Sequence, residues 1–289
     1  MKVLIFGAQG MLGQELCKSF KTEFEVVAAT RHGCDLRYPA TIGPYIEAHK
    51  PDIVINSAAM ININLCETSK DQAYEVNAFA VAKMAEACNV IGAKLVQIST
   101  DHYYVNGKNR KHTEAEPVTL LNNYAHTKFS GEEFATLAKN FLIVRTNIIG
   151  FRTNSEQQGF LEWALDGIEN NRQLKLFSDY FTSSIDIYSF AILLKMMVKM
   201  DLQGLYNVAS SEVTSKARFV ELLAEELDVT LNFPQYVSIE SAAPELVPRA
   251  TSLGLDVNKI EQALGLLMPT AKQVISKIKE VYNELKLSI

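Results

Sequence analysis

Three glycines follow an apolar segment near the start of the chain, and this feature constrains the fold more than any other. Residues 3–6 are continuously apolar, as in a strand buried on both faces of a parallel sheet. Gly7, Gly10 and Gly13 come next, and apolar residues then recur at helical spacing from Leu12. A strand, a glycine turn and a helix direct unpaired backbone N–H groups and the positive end of the helix at a phosphate.

The glycine spacing is Gly-x-x-Gly-x-x-Gly, one residue looser than the dinucleotide-binding pattern Gly-x-Gly-x-x-Gly. An ordinary glycine turn between a strand and a helix is the alternative interpretation. Because the motif lies between a buried strand and an amphipathic helix, we favour a dinucleotide site.

Composition and charge narrow the class of protein. The chain has 289 residues, 48% of them hydrophobic, and a formal net charge of -5, so we expect neither a nucleic-acid nor an anionic-membrane partner. No apolar segment approaches the ~18 residues that span a bilayer, and no signal peptide precedes the first strand. The four cysteines have no metal or redox spacing. We therefore expect a cytoplasmic protein without a metal.

Apolar strand segments alternate with helical segments along the first half of the chain. The strands are predicted at 24–30, 51–56, 94–98 and 141–147, the last continuing to 151. This order predicts an α/β fold, a Rossmann-like doubly wound parallel sheet with a smaller C-terminal substrate-binding lobe. We place a dinucleotide-binding domain at 1–150 and a mainly substrate-binding lobe at 151–289, part of which returns to the first domain. A helix over 216–227 is predicted to be capped by Thr214.

Two strand ends provide further candidates for dinucleotide contacts. Arg31 follows the second strand, where it would receive a 2′-phosphate or would be an ordinary surface arginine. Asp35 and Leu36 come shortly afterwards, where the adenine would lie. The small residues 57–59 follow the third strand and let a flat ligand approach the backbone.

The chemistry is predicted around the fourth strand and the helix that follows it. Thr100 lies at the carboxyl end of that strand, where doubly wound sheets hold ligands. Tyr124 and Lys128 occupy positions i and i+4 of a helix and share one face. A lysine ammonium near a phenol would lower its pKa from ~10 and make it a proton donor near neutral pH. Alone, Tyr-x-x-x-Lys is a weak signal; the glycine motif and Thr100 give it weight.

These segments together resemble a known family. The glycine motif, Asn56-Ser57-Ala58-Ala59, Ser99-Thr100-Asp101, Tyr124-x-x-x-Lys128 and Gly131-Glu132 are similar to the extended short-chain dehydrogenases/reductases, and most of all to the dTDP-4-dehydrorhamnose reductases. That family reduces the 4-keto group of a nucleotide-linked 6-deoxysugar. The resemblance covers nearly the whole chain.

The resemblance implies roles for individual residues. Tyr124 would donate the proton, Lys128 would bind the nicotinamide ribose and tune Tyr124, and Thr100 would orient the carbonyl. It implies NADPH, which Arg31 favours, or NADH as the cofactor, and a nucleotide sugar as substrate. The residues implied to hold the cofactor, besides Tyr124 and Lys128, are Gly7, Gln9, Gly10, Met11, Leu12, Gly13, Arg31, Asp35, Leu36, Ser57, Ala58, Ala59 and Met60.

Three further residues are substrate-binding candidates, two of them at departures from the family pattern. His102 stands where the family usually has tyrosine, and Asn147 lies in a segment that lacks the family's tryptophan. Arg249 lies in a segment like the family's arginine- and proline-containing one, where a guanidinium would bind the pyrophosphate or form a surface salt bridge. The departures leave the identity of the sugar open.

Two other functions stay open. An epimerase of the same superfamily is compatible with these residues, whereas a 4,6-dehydratase is disfavoured because His102 replaces the second acid of its Asp-Glu pair. A non-catalytic cofactor-binding subunit is disfavoured because Tyr124 and Lys128 are both present. The sequence does not define the oligomeric state, and a homodimer is one assembly that it allows.

Overall fold

The structure is a computed structural model that describes residues 1–105, 107–152, 159–232, 234–242 and 247–287. Its strands are β1 (Lys2–Phe6), β2 (Glu25–Ala29), β3 (Ile53–Asn56), β4 (Lys94–Ile98), β5 (Lys111–His112), β6 (Phe141–Arg145), β7 (Ile148–Ile149), β8 (Lys175–Phe177), β9 (Phe181–Thr182), β10 (Ile185–Asp186), β11 (Gly204–Asn207), β12 (Thr214–Ser215), β13 (Gln235–Val237) and β14 (Ser252–Leu255). Its helices are α1 (Met11–Phe20), α2 (Ile42–His49), α3 (Ile63–Thr68), α4 (Lys70–Tyr74), α5 (Ala80–Ile91), α6 (Asn123–Ala135), α7 (Phe160–Glu169), α8 (Ile187–Lys199), α9 (Lys216–Glu226), α10 (Ile239–Ala242), α11 (Asn258–Leu264) and α12 (Ala271–Leu287). A 3₁₀ turn covers Pro39–Thr41, and a π-helical turn, Glu75–Phe79, joins α4 to α5.

A six-stranded parallel sheet forms the centre of the molecule, in the order β11-β6-β4-β3-β1-β2. From β1 the chain moves to one side to form β2 and to the other side to form β3. The strand order therefore reverses beside β1, and open α/β sheets bind ligands in the crevice at such a switch point. The predicted α/β fold with a doubly wound parallel sheet is confirmed.

The sheet is buried because its strands are apolar on both faces. Along β1, Val3 and Ile5 pack into one core cluster, whereas Leu4 and Phe6 pack into the cluster on the opposite face. All four are at most 1% exposed. Alternate residues of a strand point to opposite faces, so a continuous apolar segment is what a sheet covered on both sides requires.

Residues after 150 build a second set of small sheets and also complete the first. Strands β12, β9, β14 and β5 form one sheet, while β13 pairs with β8 and β10 with β7. The chain returns to the central sheet through β11, which pairs in parallel with β6. Helix α8 lies against α1, where Lys195 Nζ donates to the carbonyl of Ser19 at 3.1 Å. In the described part of the chain, no helix has the length and apolarity needed to cross a membrane.

Two local predictions were wrong. The strand predicted to continue from 141 to 151 ends at Arg145, and β7 pairs with β10 outside the central sheet. Between the two strands, the side chain of Asn147 is hydrogen-bonded to Asp101 and Ser184. The cap of α9 is Ser215, whose hydroxyl accepts from the Arg218 N–H, rather than Thr214, which lies in β12.

Candidate active site

The glycine turn brings β1, β3 and α1 very close together. Gly7 has a φ of +77°, and a Cβ on Gly7 would lie 2.8 Å from the Ala58 nitrogen. A Cβ on Gly13 would lie 2.0 Å from the Gly7 carbonyl oxygen. Gly10 is exposed at the N-cap of α1, and no described side chain caps the helix there. The first N–H groups of α1 are therefore oriented toward a ligand in the crevice, as a pyrophosphate requires.

The other residues of this turn differ in how they could contact a ligand. Gln9 is exposed, and its carbonyl accepts from the Gln14 side chain at 2.9 Å. Met11 is half-buried at the start of α1. Leu12 is 5% exposed in the core, so its backbone, and not its side chain, is the part that can bind.

The end of β2 carries a fixed carboxylate and an exposed arginine. Asp35 forms a salt bridge with Arg37, which holds the pKa of this carboxyl below its usual range, and Arg31 adds a smaller effect. Arg31 itself is exposed. Leu36 is 7% exposed and packs in the core. Arg31 is thus the exposed cation of this group, whereas Arg37 is engaged with Asp35.

Asn77 holds the half-buried segment 57–60, which follows β3, in place. The sequence analysis did not identify Asn77 as a site residue. Asn77 accepts from the Met60 N–H at 2.8 Å and donates to the Met60 carbonyl at 3.0 Å and to Thr127 at 3.0 Å. The Ser57 hydroxyl donates to the Phe6 carbonyl at 2.6 Å, and Ala59 is half-buried beside it. Asn77 belongs to the π-helical turn, a rare geometry that frequently marks functional sites.

Thr100 and Tyr124 meet at the carboxyl end of β4, as predicted. The Thr100 hydroxyl is near enough to Tyr124 to act on the pKa of its phenol, and the two residues are 5% and 8% exposed. This hydroxyl donates to Asp101 Oδ1 at 3.5 Å and accepts from the His102 N–H at 3.3 Å. Asn122 caps α6 by accepting from the Ala125 N–H at 2.8 Å, which fixes the position of Tyr124 in the first turn. A phenol and a threonine hydroxyl on one side of a ligand crevice can both hydrogen-bond one substrate oxygen.

Lys128 is buried beneath Tyr124 on α6, with its ammonium donating to the Ile98 carbonyl at 2.8 Å. Burial lowers the pKa of Lys128 to about 8, and the nearby Glu132 carboxylate opposes this change. We predicted that Lys128 lowers the pKa of Tyr124. In this structure the pKa of Tyr124 is instead raised, because burial disfavours the phenolate and the Asp101 carboxylate repels it, while the Thr100 hydroxyl opposes the rise.

Glu132 lies one further turn along α6 and is the centre of a buried ion pair. Arg145 contacts both of its carboxylate oxygens, through Nε at 3.0 Å and Nη2 at 2.7 Å, and Ser99 donates to Oε1 at 2.5 Å. The side chains of Glu132 and Arg145 are each 4% exposed. This pair anchors the part of α6 that carries Lys128 to the ends of β4 and β6.

Asp101 is a further buried acid in the site, and the sequence had not marked it as a functional residue. It is 1% exposed, and it accepts from Asn147 Nδ2 at 2.7 Å. Burial raises the pKa of Asp101 to about 7, against the effects of the Asn147 hydrogen bond and the positive charge of Lys216. The predicted substrate contact Asn147 thus lies beside Thr100, and its amide is engaged with Asp101.

His102 and Arg249 come together on the other side of Tyr124. The His102 ring meets the Tyr124 ring edge-on with centroids 5.5 Å apart, and Tyr180 Oη lies 3.4 Å from His102 Nε2. Burial, then the charges of Arg249 and Lys216, lower the pKa of His102 to about 4. Arg249 follows Pro248, whose carbonyl accepts from the Asn122 side chain at 2.8 Å. Within the described residues, His102 Nδ1 and Arg249 Nε are buried without a hydrogen-bond partner.

Lys216 is the second cation of this region, and it was not predicted. It is the first residue of α9, and its ammonium lies 4.3 Å from the centroid of the Phe160 ring. Burial lowers the pKa of Lys216 to about 8, and the Asp101 carboxylate opposes this change. Lys216 and Tyr180 carry no local motif, and only the folding of the second half of the chain brings them to Thr100.

Comparison with known proteins agrees with this geometry. The family model described as RmlD substrate binding domain matches residues 1–286. The spore coat polysaccharide biosynthesis protein SpsK of Bacillus subtilis is 32% identical over 230 residues, which are 78% of this chain and 79% of that protein. The dTDP-4-dehydrorhamnose reductase of Escherichia coli is 25% identical over an alignment that covers 99% of this chain and 98% of that protein.

A solved structure shows the same fold. The dTDP-4-dehydrorhamnose reductase of Bacillus anthracis, in complex with NADP, superposes with a TM-score of 0.88 at 22% identity, covering 96% of this chain and 98% of that one. The matches extend over both halves of the chain. The chain therefore belongs to the RmlD substrate binding domain family.

Proposed function

We propose that this protein is an NADPH-dependent reductase of the 4-keto group of a nucleotide-linked 6-deoxysugar, acting in deoxysugar or surface polysaccharide biosynthesis. The observation that supports it best is the placement of Thr100 near Tyr124 at the carboxyl end of β4, the same edge of the parallel sheet at which the glycine turn follows β1. The names of the Escherichia coli and Bacillus subtilis relatives support the substrate class and the pathway.

The residues around the crevice fit a dinucleotide and divide the work of reduction. Gly7, Gly10 and Gly13 let the pyrophosphate approach the N-terminus of α1, and a bound nicotinamide supplies the hydride. Thr100 orients the substrate oxygen, and Tyr124 donates a proton to it. Burial keeps the phenol of Tyr124 protonated in this structure, but its raised pKa also makes it a weaker acid, so proton donation requires that the phenolate be stabilised.

Lys128 is proposed to bind the nicotinamide ribose and to stabilise the phenolate that Tyr124 forms. Its position below Tyr124 on the same face of α6 supports this role. With a pKa lowered to about 8, the ammonium is still mostly protonated at neutral pH. Its charge can act on Tyr124 once the ammonium exchanges its hydrogen bond to the Ile98 carbonyl for one to the ribose.

The exposed Arg31 is the reason for choosing NADPH over NADH. A guanidinium at the end of β2 suits a 2′-phosphate, and the NADP complex of the Bacillus anthracis neighbour supports this choice. Arg31→Ala should raise the KM for NADPH by roughly tenfold, as the loss of one charge-assisted hydrogen bond implies, and should leave the KM for NADH unchanged. Equal effects on both cofactors would contradict this role.

The substrate is proposed to lie between the sheet and the residues after 150. Asn147, His102 and Arg249 would contact it there, and the unpaired Nε of Arg249 suits a phosphate oxygen. In this arrangement residues 1–150 hold most of the dinucleotide and residues 151–289 most of the sugar nucleotide. The polar sequence of the loop 151–158 also indicates a segment that borders the substrate, and its residues 153–158 lie outside the described residues.

The decisive experiment measures loss of NADPH absorbance with dTDP-4-keto-6-deoxyglucose, with and without an epimerase that supplies the rhamnose-series ketone. Wild type should oxidise NADPH, and Tyr124→Phe should lower kcat by about 10² or more, since general acid catalysis contributes 10²–10⁴. Dependence on the epimerase identifies the ketone. Bound NADPH without turnover of either ketone would refute the rhamnose assignment and favour another nucleotide sugar or a non-catalytic subunit.

We also propose that the protein forms a homodimer through α4, the π-helical turn Glu75–Phe79 and α6. Tyr74, Phe79 and Phe134 form an aromatic row there, with successive centroids 5.5 Å and 6.0 Å apart. Phe79 is 47% exposed, and large exposed apolar groups that adjoin one another mark interaction surfaces. Phe79→Glu should produce a monomer by light scattering, whereas Ile192→Glu, a matched exposed position on α8, should not. A dimer that survives Phe79→Glu would contradict this interface.

A cytoplasmic location is proposed on chemical grounds. Free thiols persist in reducing compartments, and all four cysteines are free and buried. Fractionation of cells that express the tagged protein would test this, and recovery with the membrane or outside the cell would contradict it.

A further inference from the structure

Asn122 connects two segments that the proposed reduction requires to act together. It is the N-cap of α6, where its Oδ1 accepts from the Ala125 N–H at 2.8 Å. Its Nδ2 donates to the carbonyl of Pro248 at 2.8 Å, 126 residues further along the chain. Capping a helix needs only the first of these bonds, so the second calls for a separate explanation.

The two partners determine the orientation of this amide. A backbone N–H can only donate and a carbonyl can only accept, so Oδ1 faces α6 and Nδ2 faces Pro248. Asn122 is 4% exposed, and water therefore competes little for either bond. An ionised aspartate could replace the acceptor but has no proton to donate, and a serine side chain is too short to reach both partners.

Arg249 is held in place from both sides along the chain. After it, the Ser252 N–H donates to the Tyr104 carbonyl at 3.2 Å, and the Ser252 hydroxyl donates to the Lys108 carbonyl at 2.9 Å. Before it, the adjoining proline is bonded to Asn122. The backbone of Arg249 therefore has a defined position, although its Nε is buried without a hydrogen-bond partner in the described part of the chain. A buried donor of this kind suits a phosphate oxygen.

The bond from Asn122 also brings this segment close to the proposed proton donor. Tyr124 follows Asn122 by two residues, in the first turn of α6, and Arg249 directly follows Pro248. The backbones that carry the phenol and the guanidinium are thus attached to one amide. The edge-on contact of His102 with Tyr124, at 5.5 Å between ring centroids, and the effect of Arg249 on the pKa of His102 agree with this proximity.

We propose, on the basis of the proposed reductase function, that Asn122 is a positioning residue that holds Arg249 where it binds the sugar nucleotide beside Tyr124. Arg249 binds a phosphate of the substrate, and Tyr124 protonates the keto oxygen of the same molecule. Because the bond to Pro248 keeps Arg249 in place before the substrate arrives, binding does not have to order this segment. Asn122 acts through Arg249 and takes no part in the proton transfer itself.

Asn122→Asp and Asn122→Ser separate the two bonds, because both keep an acceptor for the cap of α6 and both lose the bond to Pro248. With the ketone that wild type turns over, each variant should raise the KM for the sugar nucleotide by roughly tenfold, the effect of one lost buried hydrogen bond. Since Tyr124 keeps its place, kcat should stay within about threefold of wild type. The KM for NADPH should not change.

A double-mutant cycle tests whether Asn122 acts through Arg249. Arg249→Ala should itself raise the KM for the sugar nucleotide by about tenfold or more, because a charge-assisted hydrogen bond is lost. In the Arg249→Ala background, Asn122→Asp should add less than about twofold, because the group that it positions is gone. A purely structural role of Asn122 would give the full effect in both backgrounds.

Asn62→Asp is the matched control. Asn62 caps α3 by accepting from the Leu65 N–H at 3.0 Å, and within the described residues its side chain makes no hydrogen bond to a distant segment. Its substitution keeps the cap and should leave both KM values unchanged.

Hydrogen exchange followed by mass spectrometry gives a measurement that needs no substrate. Peptides that cover 248–252 should exchange faster by roughly fivefold or more in Asn122→Asp than in wild type, because the segment has lost one of its attachments. Peptides from α6 should keep their exchange rates, since the cap is retained.

The outcomes separate the two proposals. The positioning role alone is overturned by an unchanged KM for the sugar nucleotide, by equal effects of Asn122→Asp with and without Arg249, or by a fall in kcat as large as the rise in KM. A rise in KM for Asn122→Asp but not for Asn122→Ser also overturns it, because the introduced charge would then be the cause. Unchanged exchange of 248–252 has the same meaning. Absence of wild-type turnover overturns the reductase function, and the exchange experiment then decides independently whether Asn122 holds the segment.

Discussion

Replacing Gly13 with alanine should destabilise the protein, although glycine within a helix is usually improved by this change. A Cβ at residue 13 would lie 2.0 Å from the Gly7 carbonyl oxygen and 2.8 Å from the Ala8 Cα, and both are backbone atoms. Ordinary contact begins at 3.4 Å, so α1 and the end of β1 must separate by about 1.4 Å. Overpacking a rigid contact costs typically ~1–3 kcal/mol, and the alanine gain in helix propensity of about 1 kcal/mol offsets part of it.

Gly43→Ala is the matched control. Gly43 also lies in a helix, α2, and no described atom within 4 Å would meet the added Cβ. Its substitution should be neutral or stabilise by up to ~1 kcal/mol. Urea unfolding of wild type and both variants gives the free energies, and NADPH fluorescence titration should show weaker binding for Gly13→Ala alone. Equal or greater stability of Gly13→Ala would refute the reasoning, since the close approach of α1 to β1 would then have no energetic consequence.

Three other perturbations test the buried polar groups. Glu132→Gln leaves Arg145 buried without its counter-charge, so we expect a loss of about 3–5 kcal/mol in urea unfolding, and a loss below 1 kcal/mol would contradict a tight pair. His102 has a lowered pKa of about 4, so the unfolded chain binds more protons between pH 4 and 6.5 and stability falls as pH falls through this range. When the pH is lowered from 6.5 to 4, the free energy of unfolding of His102→Gln should therefore fall by ~2 kcal/mol less than that of wild type, as parallel unfolding experiments would measure. Equal decreases would be inconsistent with a neutral buried imidazole. Asn77→Ala leaves the Met60 N–H and carbonyl unpaired, and we expect a loss of ~1–3 kcal/mol together with weaker NADPH binding; unaltered binding would separate Asn77 from the cofactor site.

The parts of the fold that the sequence predicted are those with local causes. Leu95, Val96 and Ile98 are apolar and buried because both faces of β4 are covered, and the strand has the predicted bounds. The glycine turn could be predicted because a turn that leaves no room for side chains requires several glycines close together in the sequence. Thr100 and Tyr124 could be placed together because a strand end and a helix start meet in any sheet of this type.

The rest of the site depends on contacts that no local pattern encodes. Asp101, Asn147 and Ser184 form one hydrogen-bonded chain, although they come from three separate segments. Lys216 approaches Asp101 only because α9 starts beside the site. The rise in the pKa of Tyr124 was not predicted because its largest cause is burial, which a helix pattern cannot report for a single side chain.

The return of the chain to the central sheet through β11 has a consequence for how the protein is made. Strand β6 has the sequence Phe-Leu-Ile-Val-Arg, and its outer edge is paired by β11 alone. During translation this hydrophobic edge remains unpaired until Gly204–Asn207 has left the ribosome. Unpaired apolar strand edges promote aggregation. A fragment ending at residue 150 should thus precipitate, whereas one extended past β11 should stay in solution. The central sheet is completed only after residues 204–207 have been translated.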